Sequence, residues 1–158
     1  MRTNSSLLHL SIFLLFIYSC NSKTANSNDY SNSELDKYCI VKIDSFFNEI
    51  RVSNYTNALD DLLRQNENID LKDSGTVSLR EQFKKINELS GKYIGYSLLK
   101  KKIVGDDVGA YSYLVKYSSK FYRFIFIFYN NGASVKIYKF KFDDSIDVDL
   151  EESLRLYL

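Results

Sequence analysis

The residues of this chain able to do chemistry are two cysteines, one histidine, 13 tyrosines and an acidic run near the C-terminus. Cys20 closes an apolar stretch, Leu14-Leu15-Phe16-Ile17-Tyr18-Ser19, and Cys39 lies beside Tyr38 in a segment of helical periodicity. A cysteine nucleophile acts as its thiolate and needs a base or cation to form it. The single histidine, His9, sits inside the N-terminal apolar stretch. Cys39 is therefore expected to be a small buried hydrophobe that alkylates slowly. Asp143, Asp144, Asp147, Asp149, Glu151 and Glu152 supply the oxygens that calcium prefers. They lack the glycine of a tight calcium loop, and acids at a helix N-terminus account for them. No metal, no cofactor and no catalytic residue is expected. Tyr96, Tyr111 and Tyr113 can donate hydrogen bonds to a ligand if a sheet brings them together.

Arg2 is the only charged residue before Cys20, and no acid appears before Asp29. A positive charge, an apolar run and a small residue at its end make a secretory signal. The run from Ile12 to Ile17, with Leu7, Leu8 and Leu10, covers roughly a dozen positions, against the ~20 of a spanning helix. Ile17 three before Cys20, and Ser19 just before it, make the segment resemble the lipobox of bacterial lipoproteins. The resemblance implies cleavage between Ser19 and Cys20, a lipid on the Cys20 thiol and an acylated new amino group. Each buried methylene then contributes about 0.8 kcal/mol, and two or more acyl chains anchor stably. The expected partner is thus a bacterial membrane, inner or outer, with the domain facing the periplasm or the surface. An ordinary signal peptide with a cysteine there by chance is the alternative.

On this account the mature chain has no histidine, which excludes Ser-His and Cys-His catalysis and most transition-metal sites. Cys39 is left alone, so no intramolecular disulfide forms. All but one of the 21 basic residues follow Cys20, against 20 acidic ones. A net charge near zero gives no basic field, and no nucleic-acid partner is expected. The organisation is a signal peptide over 1–19, a polar tether over 20–32 without apolar periodicity, and one domain over 33–158.

The elements that must position the tyrosines are legible from periodicity. Ser31-x-x-Glu34 has the pattern of a capping box, with the first helix starting at Ser31 or Ser33. Leu35, Tyr38, Cys39, Ile43, Phe46, Phe47 and Ile50 make its apolar face. Asn54 is the expected N-cap of a second helix burying Tyr55, Ala58, Leu59, Leu62 and Leu63. A third runs from about Thr76 to Leu89, with Leu79, Phe83, Ile86 and Leu89 aligned and Gly91 as its left-handed C-cap. Four strands follow, at 93–104, 108–117, 121–129 and 134–142, joined by short turns into an antiparallel meander. Gly95 marks a bulge in the first strand, and Asn131-Gly132 a two-residue hairpin turn. A last helix is expected over 147–158, with Leu150, Leu154 and Tyr157 on one side. The fold class is α+β: N-terminal helices packed on a bent four-stranded antiparallel meander, with a short C-terminal helix.

Phe46-Phe47-Asn48-Glu49-Ile50 through Asn54-Tyr55-Thr56-Asn57-Ala58-Leu59, then Gly91-Lys92-Tyr93-Ile94-Gly95-Tyr96, then Phe124 to Tyr129 with Lys136 to Phe140, resemble the helix-to-helix transition, the lead-in to the first long strand and the last hairpin of the nuclear-transport-factor-2-like superfamily. The resemblance covers about residues 33–150 and is one of layout. It implies a cone whose concave sheet face wraps the helices around a possible pocket, and no catalytic residue carries over. The superfamily holds both isomerases and non-catalytic domains.

The expected registers pair Phe128 with Val135, Phe126 with Ile137, Tyr113 with Phe124 and Tyr111 with Phe126. One face then holds Tyr96, Leu98, Tyr111, Tyr113, Phe124, Phe126, Val135 and Ile137. It is either an aromatic pocket for an apolar ligand, lined by Tyr96, Tyr111, Tyr113, Phe124 and Phe126, or the ordinary core beneath the helices. The other face carries Leu114, Ile125, Ile127, Tyr129, Tyr138 and Phe140. It is too apolar for open solvent, so the C-terminal segment or a second copy is expected to cover it. Lys100-Lys101-Lys102 is expected to be a solvated strand end. The function expected is that of a lipid-anchored, non-catalytic envelope protein binding a protein partner or small apolar ligand. The alternatives are a pocket enzyme of isomerase or dehydratase type using Asp and Tyr, and an envelope assembly or immunity-type protein.

Overall fold

The computed structural model describes residues 33–146. The expected signal peptide with Cys20, the tether and the C-terminal helix lie outside these residues. Three helices, α1 (Glu34–Arg51), α2 (Tyr55–Leu63) and α3 (Ser74–Ser90), precede four strands, β1 (Tyr93–Val104), β2 (Val108–Tyr117), β3 (Phe121–Asn130) and β4 (Val135–Asp143). The strands form one antiparallel sheet in the order β1-β2-β3-β4. The architecture is α+β, helices on one face of a meander.

The N-cap of α1 is Ser33, whose hydroxyl accepts from the Asp36 amide at 3.1 Å. The cap thus sits on Ser33 rather than on a Ser31–Glu34 box. Leu35, Cys39, Ile43, Phe46, Phe47 and Ile50 are buried on one face, and so is Asp36. The helix stops at Val52, and Ser53 takes the left-handed conformation at φ 63°. Asn54 precedes α2 as expected, but its amide donates to Glu49 Oε2 at 2.6 Å and makes no side-chain cap. Asp73 caps α3, accepting from the Gly75 amide at 2.8 Å, so that helix starts earlier than the apolar pattern alone implies. Leu89 is exposed, because it stands about 120° around the helix from Phe83 at ~100° per residue. Gly91 has positive φ (76°) with ψ −159°, outside the left-handed helical well. A Cβ there would meet Ser118 Oγ at 2.2 Å, so a close approach to the β2–β3 turn fixes this glycine.

The β2–β3 register follows its turn, whereas β1–β2 closes Val104 on Val108 over three residues and shifts twice along its length. Tyr113 pairs with Phe124 and Tyr111 with Phe126, and the register shifts at Gly95 as a bulge there requires. The last hairpin differs. Asn130 pairs with Val135, Phe128 with Ile137 and Phe126 with Phe140. The connection is longer than Asn131-Gly132 because Asn131 Oδ1 accepts from the Ala133 and Ser134 amides, closing a side-chain turn. A bulge at Ile127/Phe128 then brings both Ile137 and Phe140 inward. Phe140, expected on the outer face, is a core residue in ring contact with Phe46 at 5.3 Å and Phe126 at 5.2 Å. Phe46, Phe83, Phe124, Phe126 and Phe140 form a continuous aromatic cluster between helices and sheet. Arg80 closes the helical layer, donating to Asp60 Oδ1 at 2.7 Å.

Candidate functional site

Asp36, Ile40 and Asp44 stand four residues apart on α1 and so form one stripe along it. The stripe faces β1. The Asp36 carboxylate accepts from Lys101 Nζ at 3.0 Å on Oδ2 and from the Tyr111 hydroxyl at 2.8 Å on Oδ1. One end of the seam is thus closed by a half-buried ion pair with a phenol on it. At the other end the Tyr96 hydroxyl donates to Asp44 Oδ1 at 2.7 Å, and its ring stacks on Phe47 at 3.9 Å. Between these bonds Leu98, which pairs with Tyr113, is 50 % exposed, beside Tyr96 at 36 % and Ile40 at 38 %. A second register shift between Leu98 and Lys100 turns Lys101 inward, so the middle lysine of the run is no solvated strand end.

The thiol and the phenols of this seam are held protonated. Burial, the Tyr111 contact notwithstanding, pushes the Cys39 thiol up to about 12. Burial raises the Tyr113 phenol to about 12, with the charges of Asp44 and Asp36 adding to it. Burial also raises Tyr96 and Tyr111, each assisted by the carboxylate that accepts its hydrogen. A thiol in this state is no nucleophile at neutral pH. Cys39 Sγ is walled in: a Cβ on Gly109 would stand 3.4 Å from it and 3.0 Å from Tyr111 Cε2.

Of the five residues expected to line a pocket, Tyr111, Tyr113, Phe124 and Phe126 are buried in the core. Phe124 and Phe126 contact Phe46 and Phe47 edge-on or stacked. Only Tyr96 reaches the surface. Two depressions lie elsewhere among the described residues. A polar cleft of about 220 Å³ opens between α1 and α2, lined by Lys42, Ser45, Glu49, Asp61 and Gln65 among others. An apolar one of about 260 Å³ lies on the outer sheet face, lined by Val108, Ile127, Phe128, Tyr129 and Tyr138.

Asp36 and Asp44 belong to the site without any motif in the sequence to mark them, and Asp36 is the buried one. Its signal was positional: it shares the buried helical face with Leu35 and Cys39, where a carboxylate needs partners. Among the described residues no group of acids, cysteines or histidines is arranged to hold a metal, and no helix is long and apolar enough to cross a membrane. No protein family, curated protein or solved structure matches the chain.

Proposed function

We propose that this chain is an exported envelope protein, anchored through lipid on Cys20, whose nuclear-transport-factor-2-like domain binds a protein partner along the α1–β1 seam and performs no catalysis. The observation that carries this reading is the state of the seam: its acid–phenol bonds are made internally, while its apolar residues are left outward. Tyr111 and Lys101 occupy both oxygens of Asp36, and Tyr96 is given to Asp44. Leu98, Ile40 and the Tyr96 ring remain exposed beside them. β1 is also an edge of the sheet among the described residues. An incoming extended segment finds there unpaired main-chain groups together with an apolar strip. The other edge is treated differently, since the Asn66 amide donates to the Ile137 carbonyl of β4 at 2.9 Å. Two bulges and the lysines of β1 discourage indiscriminate pairing.

A photo-crosslinking residue at Leu98 tests the reading in intact cells. It should capture one defined envelope protein that the same probe at Glu88 on α3 does not. Equal capture from both positions, or none from Leu98, contradicts it. The identity of the captured protein separates a general binding role from an assembly or immunity-type one.

One observation favours a second reading, a pocket enzyme of isomerase or dehydratase type. A buried carboxylate, Asp36, stands against Tyr111, and the charge of Asp36 also reaches Tyr113. Such chemistry pairs a carboxylate base with a phenol donor. It requires Asp36 to exchange its bonds to Lys101 and Tyr111 for a substrate, which the binding reading does not.

A further inference from the structure

The outer face of the sheet carries an apolar stripe bordered by cations. Leu114, Ile125 and Ile127 are only partly exposed, and Tyr129 and Tyr138 stand at the far end around the apolar depression. The paired positions place Lys102, Lys116, Lys139 and Lys141 on this same face. Lys141 lies 3.8 Å from Asp143. Lys102, Lys116 and Lys139 have no carboxylate partner among the described residues. The Ser112 hydroxyl, between Lys100 and Ile125 in the pairing, is shut off from solvent with no hydrogen-bond partner among the described residues. On a sheet face washed by water a serine hydroxyl would reach the solvent.

The chain itself points to the occupant. β4 ends at Asp143, whose carboxylate grips Arg123 on β3, the neighbour of Leu114 on β2. The chain therefore leaves the sheet beside the near end of the stripe. Ile146, the last described residue, is fully buried yet stands apart from the helix–sheet core. The sequence beyond it is Asp147-Val148-Asp149-Leu150-Glu151-Glu152-Ser153-Leu154-Arg155-Leu156-Tyr157-Leu158, with four acids and one base. As a helix its 12 residues span about 18 Å at ~1.5 Å each. The stretch of β3 from Arg123 to Tyr129 is about 20 Å at ~3.3 Å per residue. The segment is thus long enough to cover the stripe from Leu114 to Ile127, which runs about 13 Å along β3 from Arg123 at ~3.3 Å per residue. A second copy fits worse, since a two-fold contact through this face would set the same lysines against each other.

We propose that residues 147–158 fold back over the outer face as a strap, with Leu150, Leu154 and Tyr157 on Leu114, Ile125 and Ile127 and the acids among Lys102, Lys116 and Lys139. The chain has no tryptophan, so Leu154→Trp in the full-length protein reports on the strap alone. Its emission should be blue-shifted from that of the same protein in urea and several-fold less quenched by iodide. Adding Ile127→Lys should move it to the red and restore quenching, with the monomer mass unchanged by light scattering. Glu151→Lys with Glu152→Lys leaves every described residue intact and should also raise quenching. A tryptophan as red and as quenched in the native protein as in urea overturns the strap. So does a blue emission that fades on dilution together with a doubled mass, which would assign the face to a second copy. Unchanged quenching in the glutamate variant overturns the charge pairing on which the seat of the segment rests.

Discussion

Replacing Asp36 with alanine tests whether the seam is held by its internal bonds. The Asp36 side chain is 2 % exposed and accepts from Tyr111 at 2.8 Å and Lys101 at 3.0 Å. Two groups lose their acceptor. The Tyr111 hydroxyl, in a fully buried residue, is left unsatisfied at a cost of about 1–3 kcal/mol. The Lys101 ammonium would cost about 3–5 kcal/mol if it were fully buried. Its side chain is 27 % exposed, however, and can swing into water, so only a minor part of that cost applies. The sum is a loss of about 2–4 kcal/mol. Tyr111→Phe leaves Asp36 on Lys101 and should lose only about 1 kcal/mol. Because the two share one bond, the double variant should fall short of additivity by about 1 kcal/mol. Urea unfolding followed by circular dichroism reads all three, with the slope against denaturant unchanged. A loss below about 1 kcal/mol for Asp36→Ala, or strict additivity, would mean that these bonds do not hold the seam.

Further outcomes follow from the same packing. Phe126→Ala should lose about 3–5 kcal/mol, since its fully buried ring touches Phe46, Phe47, Tyr113 and Phe140. The urea midpoint of that variant checks it, and a loss under 2 kcal/mol would mean that the cluster collapses around the gap. Cys39 should resist iodoacetamide in the native domain and react at once in urea, as read by mass, because burial raises its thiol to about 12. Stability should hold steady near neutrality and fall as pH rises from about 9 towards 12. Cys39 and the phenols of Tyr93 and Tyr113 carry folded values near 12 against ordinary values of 9.0 and 10.0, so above those values the unfolded chain releases protons that the folded one keeps. Cys39→Ala should flatten the first part of that decline in the urea midpoint.

Strand and helix positions were legible because each rests on a local period. Alternation in Tyr111-Ser112-Tyr113-Leu114-Val115 states a half-buried strand, and the stripe Leu35, Cys39, Ile43, Phe46, Ile50 states a helix face. What a period does not carry is a bulge. The shift at Ile127/Phe128 reversed the face of Phe140, and the one at Leu98/Lys100 turned Lys101 inward. Asn131 was legible as a turn but not as the acceptor of two amides that lengthens it. The seam followed from the same limit. The alternation placed Tyr96, Tyr111 and Tyr113 on one face, but not the partners Asp36 and Asp44, which come from α1 across the layer. Long-range pairing of a buried acid with a lysine 65 residues away leaves no local signature. The choice between pocket and core depended on volume, and the rings of Phe46, Phe47 and Phe83 supply it.

A tethered binding domain depends on lipid at Cys20, and mass spectrometry of the N-terminal peptide from the membrane fraction reads that lipid directly. The peptide should begin at Cys20, carry lipid on the thiol and an acyl group on the amine, and disappear from membranes in the Cys20→Ser variant. A peptide that retains residues before Cys20, or that begins elsewhere with an unmodified Cys20, would contradict the tether.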